Sequence, residues 1–598
     1  MSTLDWIIVA IYVFAAIAIG LLFTKKASAS TTDFFVAGRS LPWYIAGTSM
    51  VATTFSSDTP LFVAGAVREQ GVYANWIWWI GLIGIMVSVF FFANLWRRSQ
   101  VLTEIELIRL RYDSSIFVDG LRIFKALFDG VFINSIIIAS VTLAMSKIIV
   151  AILGLSSEPL FVLPLFGAIT ATTAILILLS VAAVAYTALS GLYGVVYTDL
   201  IQFGLAIVGA IALAVIVYVD LLPQGGIAVA LQQAPGFKTD TLNFFPELNW
   251  DLKTATFAIL LVIGWWNAAP GSSFYLQRTL ACRTEKDAML SLYWFAFCHI
   301  VIRSWPWIVV GVASLIYFPA LADAEHAYPQ MIDSFLPVGL KGVMVASLLA
   351  AFMSTLDTQL NWGSSYLVND IYQPFIAKNK SKHHYVKVAR YSMLVLAGIA
   401  LLVTTQLTSI LSAYEYIAVI ITPVSLVLIM RWYWWRINVW SEISALIGAA
   451  VIGNAMLWIL PDEKGEHWFA VRMLITTVIT LVLCLTVTLF TSRKGPSEQT
   501  KRFYQQLRIH GSGWERVRVE TQVEPVSAGI KDNTIACISS IGFIYCLLFS
   551  IGYFIFDQLQ LAIINLVLAG FFGFIIKQKL PSIIRKLKEF PIQNNIAQ

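Results

Sequence analysis

The sequence predicts an all-α polytopic membrane protein, and three observations predict it. Of its 598 residues, 58% are hydrophobic and only 12% charged, against about 45–50% and about 25% in soluble domains. The mean hydropathy is +0.77, which is more apolar surface than water-soluble cores of this size can hide. The apolar residues come in runs of about 20 rather than in the polar–apolar alternation of a membrane barrel. A soluble enzyme, a disordered chain and a nucleic-acid-binding domain are thereby excluded. The net charge of +6 is small and names no anionic partner. The five cysteines form no C-x-x-C pair or His/Cys cluster, so neither a disulfide framework nor a zinc site is indicated.

Fifteen runs are long enough to span, near 4–24, 42–66, 74–96, 123–152, 162–188, 192–219, 254–276, 288–318, 337–372, 387–405, 408–431, 439–460, 468–491, 534–556 and 559–577. The first has no basic segment before it and ends at Lys25-Lys26, so it reads as a span rather than a cleavable signal. The ninth continues as helix past the bilayer edge. Lys and Arg fall mainly on one side: Lys25, Lys26, Arg97, Arg98, Arg109, Arg111, Arg278, Arg283, Lys378, Arg431, Lys494 and Lys577 among them. The opposite loops, such as 221–252 and 319–335, have few. By the positive-inside rule the N-terminus is outside and the C-terminus cytoplasmic, which requires an odd number of spans. Residues 1–492 form one unit of thirteen spans. A charged cytoplasmic linker (493–533), with a short helix near 500–508, separates it from two extra spans (534–577) and a cytoplasmic tail (578–598).

Chemistry concentrates in three places. The second run, MVATTFSSDTPLFVAG, carries Asp58 and Pro60 among five Ser/Thr, and the seventh, VIGWWNAAPGSSFYLQR, carries Asn267, Pro270 and Gly271. Pro60, Pro270 and Gly271 mark helix breaks, because proline removes a backbone hydrogen bond and clashes with the preceding turn. Freed carbonyls at membrane depth are tolerated where they line a cavity. Interruptions at matching positions of two halves point to a transporter site built from inverted repeats; an ordinary proline kink is the plainer alternative. The ninth run, ASLLAAFMSTLDTQLNWGSSYLVNDIY, groups Ser354, Thr355, Asp357 and Thr358 within little more than a turn. Hydroxyls and a carboxylate are hard ligands suited to an alkali cation. Interhelical hydrogen bonding explains the hydroxyls equally well, but an intramembrane carboxylate such as Asp357 is expensive and marks function. The third place is Asp199, near the start of the sixth run, which reads as part of an ion path or as a helix cap.

These segments resemble the sodium:solute symporters, which include sodium-coupled sugar, proline and sialic acid carriers. The resemblance covers most of 1–440 and rests on DFFVAGRSLPW (33–43), TEIELIRLRY (103–112), YTALSGLYGVVYTDLIQ (186–202), LQRTLACRTEKDA (276–288) and, most specifically, MSTLDTQLNWGSSYLVNDIY (353–372). It implies a LeuT-like five-plus-five inverted repeat, about 42–220 and 253–431, within a thirteen-helix core. The two extra C-terminal spans bring the total to about fifteen. It also implies a main sodium site at the carbonyls of Ala52, Phe55 and Ala351 and the hydroxyls of Ser354 and Thr355. A second site, known in some members, falls on Asp199, Ser354, Asp357 and Thr358. There Asp357 stands where a hydroxyl often serves, so the two carboxylates hold sodium or share a proton.

Solute contacts carry over less well. Sugar carriers of the family place an acidic residue and a Gln at the positions of Asp58 and Thr59, and a Lys at that of His299. Arg303 lies one turn further on. A mid-membrane Arg costs at least about 2.5 kcal/mol unless paired, so it either pairs with a carboxylate such as Asp58 or meets an anionic solute. Asn267, Tyr414 and Glu415 complete the candidate cavity, with Trp76, Trp78, Trp79, Trp265 and Trp266 as stacking faces or as packing. The expected function is sodium-coupled symport of a small polar solute by alternating access. A proton-coupled carrier and a solute sensor acting through a separate partner are the alternatives. No nucleophile–base pair or phosphate loop suggests an enzyme. No resident cofactor is expected, since sodium is cargo. The expected partners are sodium, the solute and the bilayer, with no nucleic acid. The family resemblance implies a functional monomer, and a bacterial inner membrane is the expected location.

Overall fold

The computed structural model describes residues 1–27, 29–155, 158–163, 167–235, 237–269, 273–407, 409–462, 468–526 and 529–588. Among them the fold is helical apart from short turns and loops and one antiparallel hairpin, Pro159–Leu163 with Gly167–Thr170. Helix α1 (Thr3–Ala27) precedes a broken pair, α2 (Trp43–Thr54) and α3 (Asp58–Gln70). Then follow α4 (Val72–Ser99), α5 (Ile116–Leu153) and α6 (Ala171–Leu221). A second interrupted pair is α7 (Leu252–Ala268) and α8 (Ser273–Ala281). Next come α9 (Glu285–Tyr317), α10 (Leu340–Ile376), α11 (Lys382–Thr404), α12 (Ile410–Tyr433), α13 (Val439–Ile459) and α14 (Phe469–Thr491). The short α15 (Glu498–Leu507) leads to α16 (Ile530–Ile555) and α17 (Leu559–Lys588).

Every apolar run of the sequence has a helix or helix pair, but among the described residues twelve helices are long and apolar enough to cross a membrane, not fifteen. The second and seventh runs are interrupted. The fifth begins as helix only at Ala171 because the hairpin takes its first residues. α6 itself is interrupted at Gly191 (φ 51°, ψ −158°), where a Cβ would lie 2.8 Å from the Phe34 carbonyl oxygen. Only glycine adopts that backbone at small cost.

Local polar groups set where helices begin. Ser115, Thr284 and Asn438 cap α5, α9 and α13 by accepting first-turn N–H groups. α10 is capped by another helix: Asp5 of α1 accepts from the N–H groups of Gly339 and Gly342, both at 2.8 Å. A Cβ on Gly342 would come 2.5 Å from the Asp5 Cα, so glycine permits this approach. α10 is the most deeply buried long helix and packs on α1, α2, α5, α6 and α11.

The linker is a folded strap rather than a spacer. α15 buries Phe503, Tyr504 and Leu507 beside Trp514, whose Nε1 donates to the Trp432 carbonyl at 2.7 Å. Arg98 at the end of α4 donates to the Leu507 carbonyl (3.0 Å) and forms an ion pair with Glu285 of α9 (2.8 Å). α16 is likewise integrated: Tyr545 donates to the Trp79 carbonyl (2.9 Å), and Trp305 donates to that of Leu548 (2.8 Å). Several residues counted as loop charges, including Arg97, Arg98, Arg111, Arg278 and Arg431, are buried. Each is held by carboxylates or carbonyls, as a buried guanidinium requires.

Candidate ion and solute site

The first break lies at 55–57. α2 ends where the Phe55 N–H returns to the Val51 and Ala52 carbonyls (2.8 and 3.1 Å), and α3 starts at Asp58. Pro60 is not itself the break. It occupies the third position of α3, within the first turn, where a missing N–H costs nothing. Pro270 and Gly271 lie outside the described residues; α7 ends at Ala268 and α8 begins at Ser273. Asn267, half-buried, sits in the final 3₁₀ turn of α7.

The break faces α10. Thr355 Oγ1 donates to the Thr53 carbonyl (2.9 Å), with the Ala351 carbonyl 3.1 Å away. The Ala52, Phe55, Ala351, Ser354 and Thr355 side chains are all buried. Ser354, however, turns its hydroxyl to Asp199 of α6 (2.5 Å). Asp199 also accepts from Ser49 and lies 3.5 Å from the Arg278 guanidinium, both charged groups being fully buried. Arg278 further donates to Thr358 (2.6 Å) and Ser49 (3.0 Å), and Thr53 pairs with Thr358 (3.1 Å). Asp357 points elsewhere and accepts from Thr187 at 2.9 Å. Asp199, Ser354 and Thr358 thus converge, but on a guanidinium, and Asp357 joins a separate contact.

Sequence reading missed Arg278 as a site residue because a Lys or Arg near a helix end is read as a loop charge. Its signal was the adjoining Gln277, which is also buried and donates to Phe35 O (2.9 Å) and Asn361 Oδ1 (2.7 Å).

A second polar cluster lies on the other side of the α2–α3 break. Asp58 accepts from Tyr414 of α12 (3.0 Å) and more distantly from Thr59 (3.4 Å). Thr59 also donates to the Thr54 carbonyl at 3.2 Å. Arg303 of α9 donates to Thr54 Oγ1 (2.9 Å) and to the His299 carbonyl (3.2 Å), with His299 Nε2 at 3.4 Å. Its guanidinium lies against the rings of Trp78 and Trp307, 5.8 and 5.3 Å from their centroids, a stabilising cation–π arrangement. Of the two alternatives for Arg303, the ion pair with Asp58 is not formed among the described residues. Glu415 stands apart, with Asp462, Arg472 and Glu69 as its charged neighbours. Of the tryptophans, Trp76 and Trp79 pack into an aromatic layer with Tyr545 and Phe549 of α16, while Trp78 faces Arg303 and His299.

The chain is similar to known proteins over most of its length. The chain is 26% identical over 528 residues to a sodium/glucose cotransporter of Vibrio parahaemolyticus, covering 82% of this chain and 91% of that one. It is 26% identical over 407 residues to the sodium/proline symporter of Escherichia coli, covering 65% and 75%. Its fold matches the substrate-bound outward-open structure of a Na+-coupled sialic acid symporter with a TM-score of 0.66 at 20% identity, covering 83% of this chain and 99% of that one. The model of the sodium:solute symporter family matches residues 34–451, and this integral membrane protein belongs to that family.

Proposed function

We propose that this chain couples inward sodium flow to uptake of a small polar solute by alternating access. The observation that carries this reading is the unwound turn at 55–57 set against α10, with Thr355 bonded to the Thr53 carbonyl across the gap. Sodium held by the Ala52, Phe55 and Ala351 carbonyls and the Ser354 and Thr355 hydroxyls replaces that contact and ties α2 to α10. No formal charge is needed, because the end of α2 supplies carbonyls and the negative end of its dipole. Coupling follows if ion and solute prefer the same conformational state. The architecture we propose is a LeuT-like five-plus-five inverted repeat in a thirteen-helix unit, followed by two further membrane helices. The N-terminus is outside and the C-terminus cytoplasmic in a bacterial inner membrane.

A proton-coupled variant has one specific support: Asp357 is a buried intramembrane carboxylate that accepts a hydrogen bond from the Thr187 hydroxyl (2.9 Å). Sodium-dependent thermal stabilisation of detergent-purified protein tests the main reading, since a ligand that binds only the folded state raises apparent stability. Sodium but not potassium is expected to stabilise the wild type, and Ser354→Ala/Thr355→Ala to lose the effect. No sodium effect up to several hundred millimolar, on the order of the range that fills a weak site, refutes direct sodium coupling. Uptake by purified protein alone in liposomes separates a carrier from a sensor.

A further inference from the structure

Among the described residues, the buried arginines other than Arg303 meet a carboxylate or at least two backbone carbonyls. Arg98 pairs with Glu285, Arg122 with Asp370, Arg278 with Asp199, and Arg431 with Glu104 and Glu442. Arg97 and Arg111 point into carbonyls at helix ends. Arg303 departs from this pattern. It is 2% exposed, in the middle of α9, and its hydrogen-bond partners are a hydroxyl, an imidazole and one carbonyl. A guanidinium has five N–H donors, so these three contacts leave donors to spare.

Asp58 departs in the complementary sense. It is 1% exposed, and its partners are the Tyr414 phenol and the Thr59 hydroxyl. The first turn of α3 offers it partial positive charge but no full counter-ion. The two groups sit on either side of Thr54, whose hydroxyl meets Arg303 and whose carbonyl meets Thr59 beside Asp58. Both thereby reach the same turn, yet they form no ion pair. Two opposite charges held apart inside a membrane are costly, and a neutral polyol between them satisfies hydrogen bonds without answering either charge.

We propose that the solute is a small zwitterion of the amino-acid type, its ammonium group on Asp58 and its carboxylate on Arg303. The inference rests on the symport reading above and adds the charge class of the cargo. The Trp78 and Trp307 faces hold the guanidinium in place, so its free N–H groups stay aimed at the carboxylate in the forked geometry that arginine favours. His299 fixes the other edge.

The test is thermal stabilisation in saturating sodium buffer, followed by sodium-driven uptake into liposomes. The probes are the twenty protein amino acids and γ-aminobutyrate, set against glucose, galactose and myo-inositol as neutral polyols, and lactate and N-acetylneuraminate as anions. At least one zwitterion is expected to stabilise and to be taken up. Its methyl ester and its N-acetyl derivative, each lacking one charge, are expected to bind at least about tenfold more weakly. Arg303→Gln should abolish the discrimination between acid and ester, and Asp58→Asn that between amine and N-acetyl derivative. The wild-type comparison needs neither variant to fold. Transport of a neutral sugar or a simple anion, or no response to any zwitterion while sodium still stabilises the protein, overturns the inference and leaves the symport reading standing. Absence of sodium stabilisation in the same wild-type sample counts against the symport reading itself.

Discussion

Replacing Arg278 by Gln tests the electrostatics of the site most directly. Arg278 and Asp199 are both fully buried, 3.5 Å apart. Removing one partner of a buried ion pair typically costs about 3–5 kcal/mol, chiefly because the other charge is left uncompensated. In Arg278→Gln, Asp199 keeps the hydroxyls of Ser49 and Ser354, which donate hydrogen bonds but bring no charge, so the loss should fall within that range. Asp199→Asn should cost a similar amount, since it removes the carboxylate that faces the buried guanidinium. The double variant strands neither. It should lose only hydrogen-bond quality, about 1–2 kcal/mol, and be more stable than either single variant. The assay is thermal unfolding of detergent-purified protein followed by tryptophan fluorescence, run without sodium so that ligand binding does not enter. A double variant as unstable as the sum of the singles means that the two residues do not interact, and the description of this site fails.

Gly191→Ala forces a side chain onto a left-handed backbone and against the Phe34 carbonyl. It should cost about 1–3 kcal/mol, while Gly204→Ala, with nothing within 4 Å of the added methyl, should be near neutral in the same melt. Trp514→Ala removes the buried ring that joins the strap to Trp432 and Arg111. It should cost about 3–5 kcal/mol locally and expose 493–526 to limited proteolysis while the membrane helices stay intact. In the loop between α9 and α10, burial pushes the Asp323 carboxyl up, but hydrogen bonds from Lys147 and the Glu325 N–H together hold it below the ordinary carboxylate range. A lowered folded value means stabilisation that is present above the unfolded value, about 3.9, and lost as pH falls through the folded one. Hydrogen exchange in 319–326 should therefore be flat from neutral pH to about pH 4 after correction for the intrinsic rate, rise below that, and lose this dependence in Asp323→Asn.

The helical class was legible because apolar run length is a property of the chain alone. The broken second run was legible too, through its hydroxyls, Asp58 and Pro60, although the unwound turn fell at 55–57 rather than at the proline. Proline is accommodated by starting a helix around it, so it marks a boundary without being the gap. The partners of buried charges were less legible. Ser354, Asp199 and Arg278 stand far apart in sequence and meet only because α6, α8 and α10 cross beside α2. Asp357, about one turn from Ser354, meets Thr187 of α6, a contact that no spacing in the sequence announces. The short helix of the strap was legible near 500–508, but its packing escaped sequence reading for a related reason. α15 is too polar to register as packed, yet Phe503, Tyr504 and Leu507 form a narrow apolar face that a short helix suffices to bury.

The arrangement of contacts constrains how an ion at the break could act. Thr355 bonds α10 to the last turn of α2, Ser354 bonds α10 to α6, and Arg278 bonds α8 to α2, α6 and α10 at once. A cation drawn to the Ala52 and Phe55 carbonyls competes for the Thr355 hydroxyl, the only direct hydrogen bond among the described residues between α10 and the backbone of α2. The Ser354–Asp199 contact need not change at the same step. In the reading we propose, sodium at the break would act on the α2–α10 contact while the buried charge pair, the expensive element, stays in place. The site thus holds one half joined by a single hydroxyl–carbonyl bond and another joined by a buried ion pair. A ligand shifts a conformational equilibrium only by its differential affinity for the two states, and the half joined by a single bond is where a small difference suffices.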